Sequence, residues 1–501
     1  MPRLTALVSL AAFLVAGGAH AQSQTYVTKH WTDAPGDVSV TLGGESFVNH
    51  GLVGAGRLSA ATRDFAGDTL GSFSSMAVTS WKKRPDGGYE GDIWTLPDRG
   101  PNDVGSIKGT ADYANRIHAL HLVLGKDGHL AITPTGGFLL KDETGQNFTG
   151  KDPGANVITR GGIRYPSPAS GDGAGHISLD SEGLARLPDG SFYVSDEYAA
   201  GIYLFDKSGR QTGAIQTVPA LLPMTAGALD FTAEKAPDTG RRNNQGLEAL
   251  AVTPGARRLV TIVQSATVQD TAGKDAATRN NTRILIYDIS KTRTPAEPVG
   301  HYVLQLPTYR ENGDGGPADA TAAQSEMVAL SDTQFLVLSR DGNGRGKGTA
   351  NAAVFKSVLL VDISGATNLA GTPYEQGTQP VAHDGALAPG VVPAQQTELV
   401  NMLNPVQLAK LGINLDVMPS TPDTLPEKLE AMAIVPALDP KGPNDVFLLV
   451  GSDNDFETKM GHLNGQDFDA GLTGANGSGT GDNDSLILVY RLTLPAGLRG
   501  K

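Results

Sequence analysis

Along most of the chain the apolar residues come in short, dense runs bounded by Pro, Asp and Gly. That is the pattern of buried strands separated by tight turns. Such runs stand at Ser191–Ser195 (SFYVS), Ile202–Phe205 (IYLF), Arg258–Val263 (RLVTIV) and Phe335–Leu338 (FLVL). Further runs are Val358–Val361 (VLLV), Val446–Val450 (VFLLV) and Leu486–Tyr490 (LILVY). Helical spacing is clear only over Thr397–Leu411, through Leu399, Val400, Leu403, Val406 and Leu411, with Pro405 as a break.

The strand pattern repeats. The word Glu-x-apolar-Ala-apolar recurs at Glu182, Glu248, Glu326 and Glu430, although Arg186 breaks the last position of the first copy. A degenerate fifth copy starts at Ser74. Each copy leads through a turn into an apolar strand, often closed by a polar cluster: Asp98-Arg99, Ser195-Asp196-Glu197, Gln264-Ser265, Ser339-Arg340-Asp341 and Ser452-Asp453-Asn454-Asp455. Units of several antiparallel strands, set radially so that neighbours bury each other's faces, make a β-propeller. The expectation is therefore an all-β propeller of about six blades (five to seven). Five units are visible, and a sixth would join the strand near Leu486–Leu494 to one after Gln22. Spacings of 66, 78 and 104 residues between the four glutamates require long loop insertions, and Thr397–Leu411 supplies a short helical one.

Composition narrows the chemistry. The absence of cysteine removes disulfides, thiolate metal sites and cysteine nucleophiles. A net charge of −13 argues against general nucleic-acid binding, and suits cations. At the start, Arg3, the apolar run Leu4–Ala16 and Ala19-His20-Ala21 spell a signal peptide cut after Ala21. The apolar run is too short for a membrane span, which takes ~20 residues. The expected organisation is a signal peptide over 1–21 and one domain over 22–501, exported to the periplasm or beyond the cell as a monomer.

In a propeller, a residue at one place in the repeat recurs at one height around the central channel. Glu182, Glu248, Glu326 and Glu430 would then form a ring at the channel mouth, with the strand-end acids Asp98, Asp196 and Asp453 nearby. Crowded carboxylates need a cation, a basic partner or shared protons. A divalent cation, calcium first, takes six to eight such oxygens. Arg99 and Arg340 occupy strand ends where a guanidinium could hold an anionic oxygen. The same acids could instead only satisfy backbone groups around the channel, and Asp and Ser are also ordinary turn formers. The Gly-, Asn- and Asp-rich stretch 451–484 lacks the EF-hand spacing and reads as a flexible loop. Gly342–Gly348 (GNGRGKG) fails as a P-loop, and there is no G-x-S-x-G or H-E-x-x-H.

Several pieces together resemble the phytase-like family, described as having esterase-like activity of phytase. They are Leu179-Asp-Ser-Glu182-Gly-Leu-Ala, Tyr193-Val-Ser-Asp-Glu197, Asn243-Asn-Gln-Gly-Leu-Glu248-Ala-Leu-Ala, Val263-Gln-Ser265, Ser325-Glu-Met-Val-Ala-Leu, Val337-Leu-Ser-Arg-Asp341 and Ser452-Asp-Asn-Asp-Phe456. The likeness runs from about Gly71 to about Leu494. It implies a secreted or periplasmic propeller with phosphoester or ester hydrolysis. The D-D-P-A-type run of β-propeller phytases is not present. On this reading Glu182, Glu248, Glu326 and Glu430 are catalytic, Asp98, Asp196 and Asp453 hold the metal, and Arg99 and Arg340 clamp a small anionic or ester substrate. Two other readings stay open: a non-catalytic propeller binding a ligand or partner at the cell envelope, and a propeller-type lactonase.

Overall fold

The computed structural model describes residues 23–71, 73–346, 351–472 and 481–498. The signal segment, the end of the Gly342–Gly348 run and part of the 451–484 stretch lie outside them. Every apolar run read above as a strand lies in one, to within a residue at its ends. The strands build five large antiparallel sheets, beside several small two- and three-stranded ones. The first sheet runs Ser75–Lys83, Tyr89–Leu96, Arg116–Leu124, Leu130–Leu139. The second runs Ser181–Arg186, Phe192–Asp196, Gly201–Phe205, Gln211–Ile215, and the third Leu247–Val252, Arg258–Val263, Asn281–Asp288, Gly300–Gln305. The fourth runs Ala323–Ala329, Gln334–Arg340, Lys356–Asp362, Gln395–Asn401.

The fifth sheet unites the two ends of the sequence. Its order is Leu429–Pro436, Asp445–Ser452, Ser485–Thr493, Glu45–Leu58, Val38–Leu42. The strand near Leu486–Leu494 does join an N-terminal strand, as the sequence suggests. The joint forms within the fifth repeat's own sheet, however, so it adds no sixth one.

The first strands of the five sheets touch in a closed cycle around a central bore. Five apolar cores fill the five gaps between neighbouring sheets. Ile93 and Leu120 meet Leu449 and Ile487 between first and fifth, and Leu96 and Ile117 meet Phe192 and Val194 between first and second. The same holds around the ring, ending with Leu336 and Leu360 against Leu448 and Leu488. A sheet packed on both faces has no need of polar alternation, which is why Phe192–Asp196 and Lys356–Asp362 are buried at every position.

Thr397–Leu411 is not one helix. Gln395–Asn401 is the outermost strand of the fourth sheet, and the helix is confined to Pro405–Ala409. Pro405 starts this helix rather than breaking it, behind an Asn404 side chain that accepts from Gln407 N–H. Leu399 and Val400 are apolar because they face the core between fourth and fifth sheets. Among the described residues no helix is long and apolar enough to cross a membrane.

Each first strand runs away from one end of the bore, and each second strand returns to it. The turns between them at the far end are tight, as at Leu187–Ser191 and Thr253–Arg258. At the near end long connections span 97–115, 140–180, 216–246, 402–428 and 453–484. The charged residues gather at that end.

Candidate functional site

Four of the five first strands carry an irregularity where they enter the sheet. Pairing skips Glu248 between Leu247 and Ala249, and Glu430 between Leu429 and Ala431. In the second sheet it skips Glu182 and Gly183. A bulge inserts one extra residue and re-aims its side chain. Here it turns these glutamates into the bore. Glu248 and Glu430 belong to sheets that are not neighbours, yet each lies within electrostatic reach of the other, across the centre.

In the fourth sheet the skipped residue is Ser325, not Glu326. The repeated word is thus displaced by one residue, and the true level of the ring reads Ser74, Glu182, Glu248, Ser325, Glu430. Glu326 lies one step deeper and reaches across the bore to the first sheet. It accepts from Ser75 Oγ, from Met327 N–H at 2.9 Å and from Leu250 N–H at 3.4 Å. Ser75 Oγ in turn accepts from Leu184 N–H at 3.0 Å. Glu326 is a crossbar that floors the chamber above it. Burial raises its carboxyl well above the usual range, against the pull of these three donors.

Above that floor the acids crowd. Glu182 is 8% exposed, and no described residue donates a hydrogen bond to its carboxylate. Burial, then Glu248, Asp180, Glu197 and Glu430, push its carboxyl well above the usual range. Glu248 accepts from Gln264 Nε2 at 2.8 Å through Oε1, while its Oε2 is buried without a partner. Its carboxyl is also raised, by burial and then by Glu197 and Glu430. The hydroxyls of Ser74 and Ser325, at the same level, are buried and unpartnered too. Glu430 is ion-paired to Arg340 Nη2.

The strand-end residues divide. Carboxylate oxygens of Asp180, Glu182 and Glu197 lie within 4.8 Å of one another, and those of Asp98, Asp453 and Asp455 do the same. Arg99 Nη1 holds Asp180 Oδ2 at 2.6 Å, and its backbone N–H reaches Asp180 Oδ1 at 3.2 Å. Lys428 Nζ lies 2.6 Å from Asp455 Oδ1 and 3.7 Å from Asp453 Oδ2. Burial and the Asp180 carboxylate raise Glu197 to about 8, with Arg99 opposing. The Nε–H groups of Arg99 and Arg340 are buried donors without an acceptor.

Asp196 stands apart from both groups. Its carboxylate accepts the N–H groups of Asp180, Tyr198 and Ala199 at 3.0–3.1 Å and the Tyr203 hydroxyl at 3.2 Å. It is wholly buried and ties the loop that carries Glu197. Of the residues expected at the site, Glu182, Glu248, Glu430, Arg99, Arg340, Asp98 and Asp453 share the chamber, whereas Glu326 floors it and Asp196 braces its wall. Sequence reasoning passed over Asp180, Glu197, Asp455 and Lys428. Asp180 and Glu197 sit inside words already singled out, beside Glu182 and Asp196, and Lys428 precedes Glu430 by two residues. The Asp453–Asp455 run, within the stretch read as a flexible loop, supplies two of the three acids of one cluster.

The donor set is all oxygen, with no histidine in either cluster. That chemistry fits a hard divalent cation rather than zinc or copper.

A family model described as phytase-like, esterase-like activity of phytase, matches residues 68–456. An uncharacterized secreted protein of Arthroderma benhamiae is 34% identical over 467 residues, covering 84% of this chain and 89% of that protein. Among solved structures, a protein of unknown function from Dyadobacter fermentans is similar at TM-score 0.32 and 12% identity, over 88% of this chain and 98% of that one. The allergen Mala s 1 of Malassezia sympodialis is similar at TM-score 0.28 and 10% identity, over 91% of this chain and 88% of that one.

Proposed function

The chain belongs to the phytase-like family, and from that premise we propose that it is an exported, five-bladed propeller that hydrolyses phosphate esters or related esters with the help of a divalent cation, calcium first. The observation that carries the reading is the pairing, in one chamber, of the orphaned Glu248 Oε2 with the orphaned guanidinium N–H groups of Arg99 and Arg340. Arg99 and Arg340 bind the anionic oxygens of the ester through those N–H groups, where charge builds in the transition state. Glu248, with Oε2 free and its carboxyl raised, takes the proton of the attacking water. A cation bound among the carboxylates supplies charge neutralisation and Lewis acidity. Export through a signal peptide cut after Ala21, to the periplasm or the medium, is supported by the secreted relative.

One observation favours a second reading, a propeller that binds without catalysis. Ser195, beside the acids, has its Oγ engaged by Gly183 N–H at 2.7 Å and Glu248 O at 3.1 Å, so it is held by backbone groups rather than by a base. A propeller-type lactonase is the third reading, since such a site also needs acids around one cation. The test is turnover by the mature protein of a phosphomonoester, a phosphodiester, a carboxyl ester, a lactone and phytate, each with calcium and with chelator. Calcium-dependent turnover of a phosphate or carboxyl ester supports the hydrolase. Turnover of the lactone alone favours the lactonase, and silence across the panel favours the binding protein.

A further inference from the structure

The two acid clusters are not equivalent, and we infer that the divalent cation is bound by Asp180, Glu182 and Glu197, while Lys428 takes the cation's place at Asp98, Asp453 and Asp455. This deepens the hydrolase reading, and rests on it for the chamber's role. The outer cluster contains a cation of the chain's own, with Lys428 Nζ 2.6 Å from Asp455. That ammonium group would have to leave before a metal entered. The inner cluster has no lysine. Its close bases among the described residues are Arg99, committed to Asp180 by two hydrogen bonds, and Arg241, whose guanidinium donates to the carbonyls of Tyr198 and Phe231. Glu197 accepts from Gly246 N–H at 3.2 Å, and Glu182 is left without a donor among the described residues.

Orphaned polar atoms mark the inner cluster independently of the crowding. Glu182 is nine-tenths buried and receives no hydrogen bond among the described residues. Glu248, 2% exposed, leaves Oε2 without a partner, and it is the neighbouring acid that most affects Glu182. A fully buried oxygen such as Glu248 Oε2 is rarely left so. A cation on Glu182 together with a water on Glu248 satisfies both. The geometry also separates two roles that one word in the sequence had merged: Glu182 is a ligand, and Glu248 is the base beside it.

Isothermal titration with calcium chloride, and the thermal midpoint with calcium or chelator, test this on the mature protein. Wild type is expected to bind calcium and to melt higher with it. Glu182→Gln should weaken binding at least tenfold and lose the calcium-dependent rise. Asp455→Asn and Glu248→Gln should each bind within about threefold of wild type. Circular dichroism of the chelated variants checks that they fold, and Glu197→Gln serves as a second inner variant. The inference is overturned if wild type binds none of calcium, magnesium or manganese, or if Asp455→Asn loses the cation while a folded Glu182→Gln or Glu197→Gln keeps it. Calcium binding with the expected variant pattern but no turnover of any ester sinks the hydrolase and leaves the cation site standing.

Discussion

Above the Glu326 crossbar, Glu182, Glu248 and Glu430 face one another beneath long loops. Below it the same five strands line an open pocket of about 260 Å³, walled in part by Ala77, Ala185, Ala251, Val328 and Ala433. Glutamate and alanine stand three residues apart in each of three repeats, a spacing that strict strand alternation would send to opposite faces. The bulge at the glutamate restores both to the bore. One local irregularity, repeated, thus gives a single channel a charged end and an end walled mainly by small side chains. The charged end is costly to build, because buried carboxylates without partners oppose folding. The other end has no such cost, since its small side chains merely leave space.

The sharpest way to break this contrast is to neutralise the charged end. Glu248→Gln should lower ester turnover at least ~100-fold, the range of a lost general base, with the circular dichroism spectrum unchanged. Unaltered turnover in a folded variant would remove the charged end from the chemistry. Next in size is Arg340→Met, which strands Glu430 in the interior. A buried pair broken on one side costs about 3 kcal/mol, read from urea unfolding. A loss under about 1 kcal/mol would mean that water reaches the pair.

The acids also set a pH dependence. Glu182, Glu248, Glu326 and Glu197 titrate in the folded state above the usual glutamate value of 4.5, Glu197 at about 8. Between those limits the folded chain binds more protons than the unfolded one, so stability falls as pH rises. In chelator, the thermal midpoint should drop by several degrees from about pH 5 to about pH 8. A midpoint that climbs over that range would contradict the burial described for these groups. The smallest effects belong to the other end. Ala251→Val, into the open pocket, should change stability by less than about 1.5 kcal/mol and leave turnover unaltered. Glu326→Gln should keep turnover within about threefold, because its carboxylate is occupied by Ser75 and backbone N–H groups. A large loss of turnover in either variant would show that the two ends act together.

Much of this architecture was legible as repetition. The strands announce themselves because both faces of each sheet are buried, which leaves unbroken apolar runs. The level of Glu326 was not legible, since Ser325-Glu-Met-Val-Ala-Leu fits the repeated word in two registers, and only strand pairing chooses between them. The same slip moves Val328, not Ala329, to the level of Ala251. Asp196 was indistinguishable from Glu197 in sequence: both are strand-end acids, and a turn sends one to the backbone and the other to the chamber. Over Thr397–Leu411, apolar residues at helical spacing came from a strand followed by one short turn of helix.

The fifth sheet gives the molecule a schedule. Ser485–Thr493 pairs with Asp445–Ser452 on one side and with Glu45–Leu58 on the other, so strands from opposite ends of the sequence share hydrogen bonds. A ribosome delivers the first of these long before the last. Until then the earlier sheets are an open arc with two bare apolar faces, and pairing at so great a separation is slow to form. Glu430 meets Glu182 and Glu248 only when the arc shuts, so the acid cluster stays unassembled until the last strand is in place.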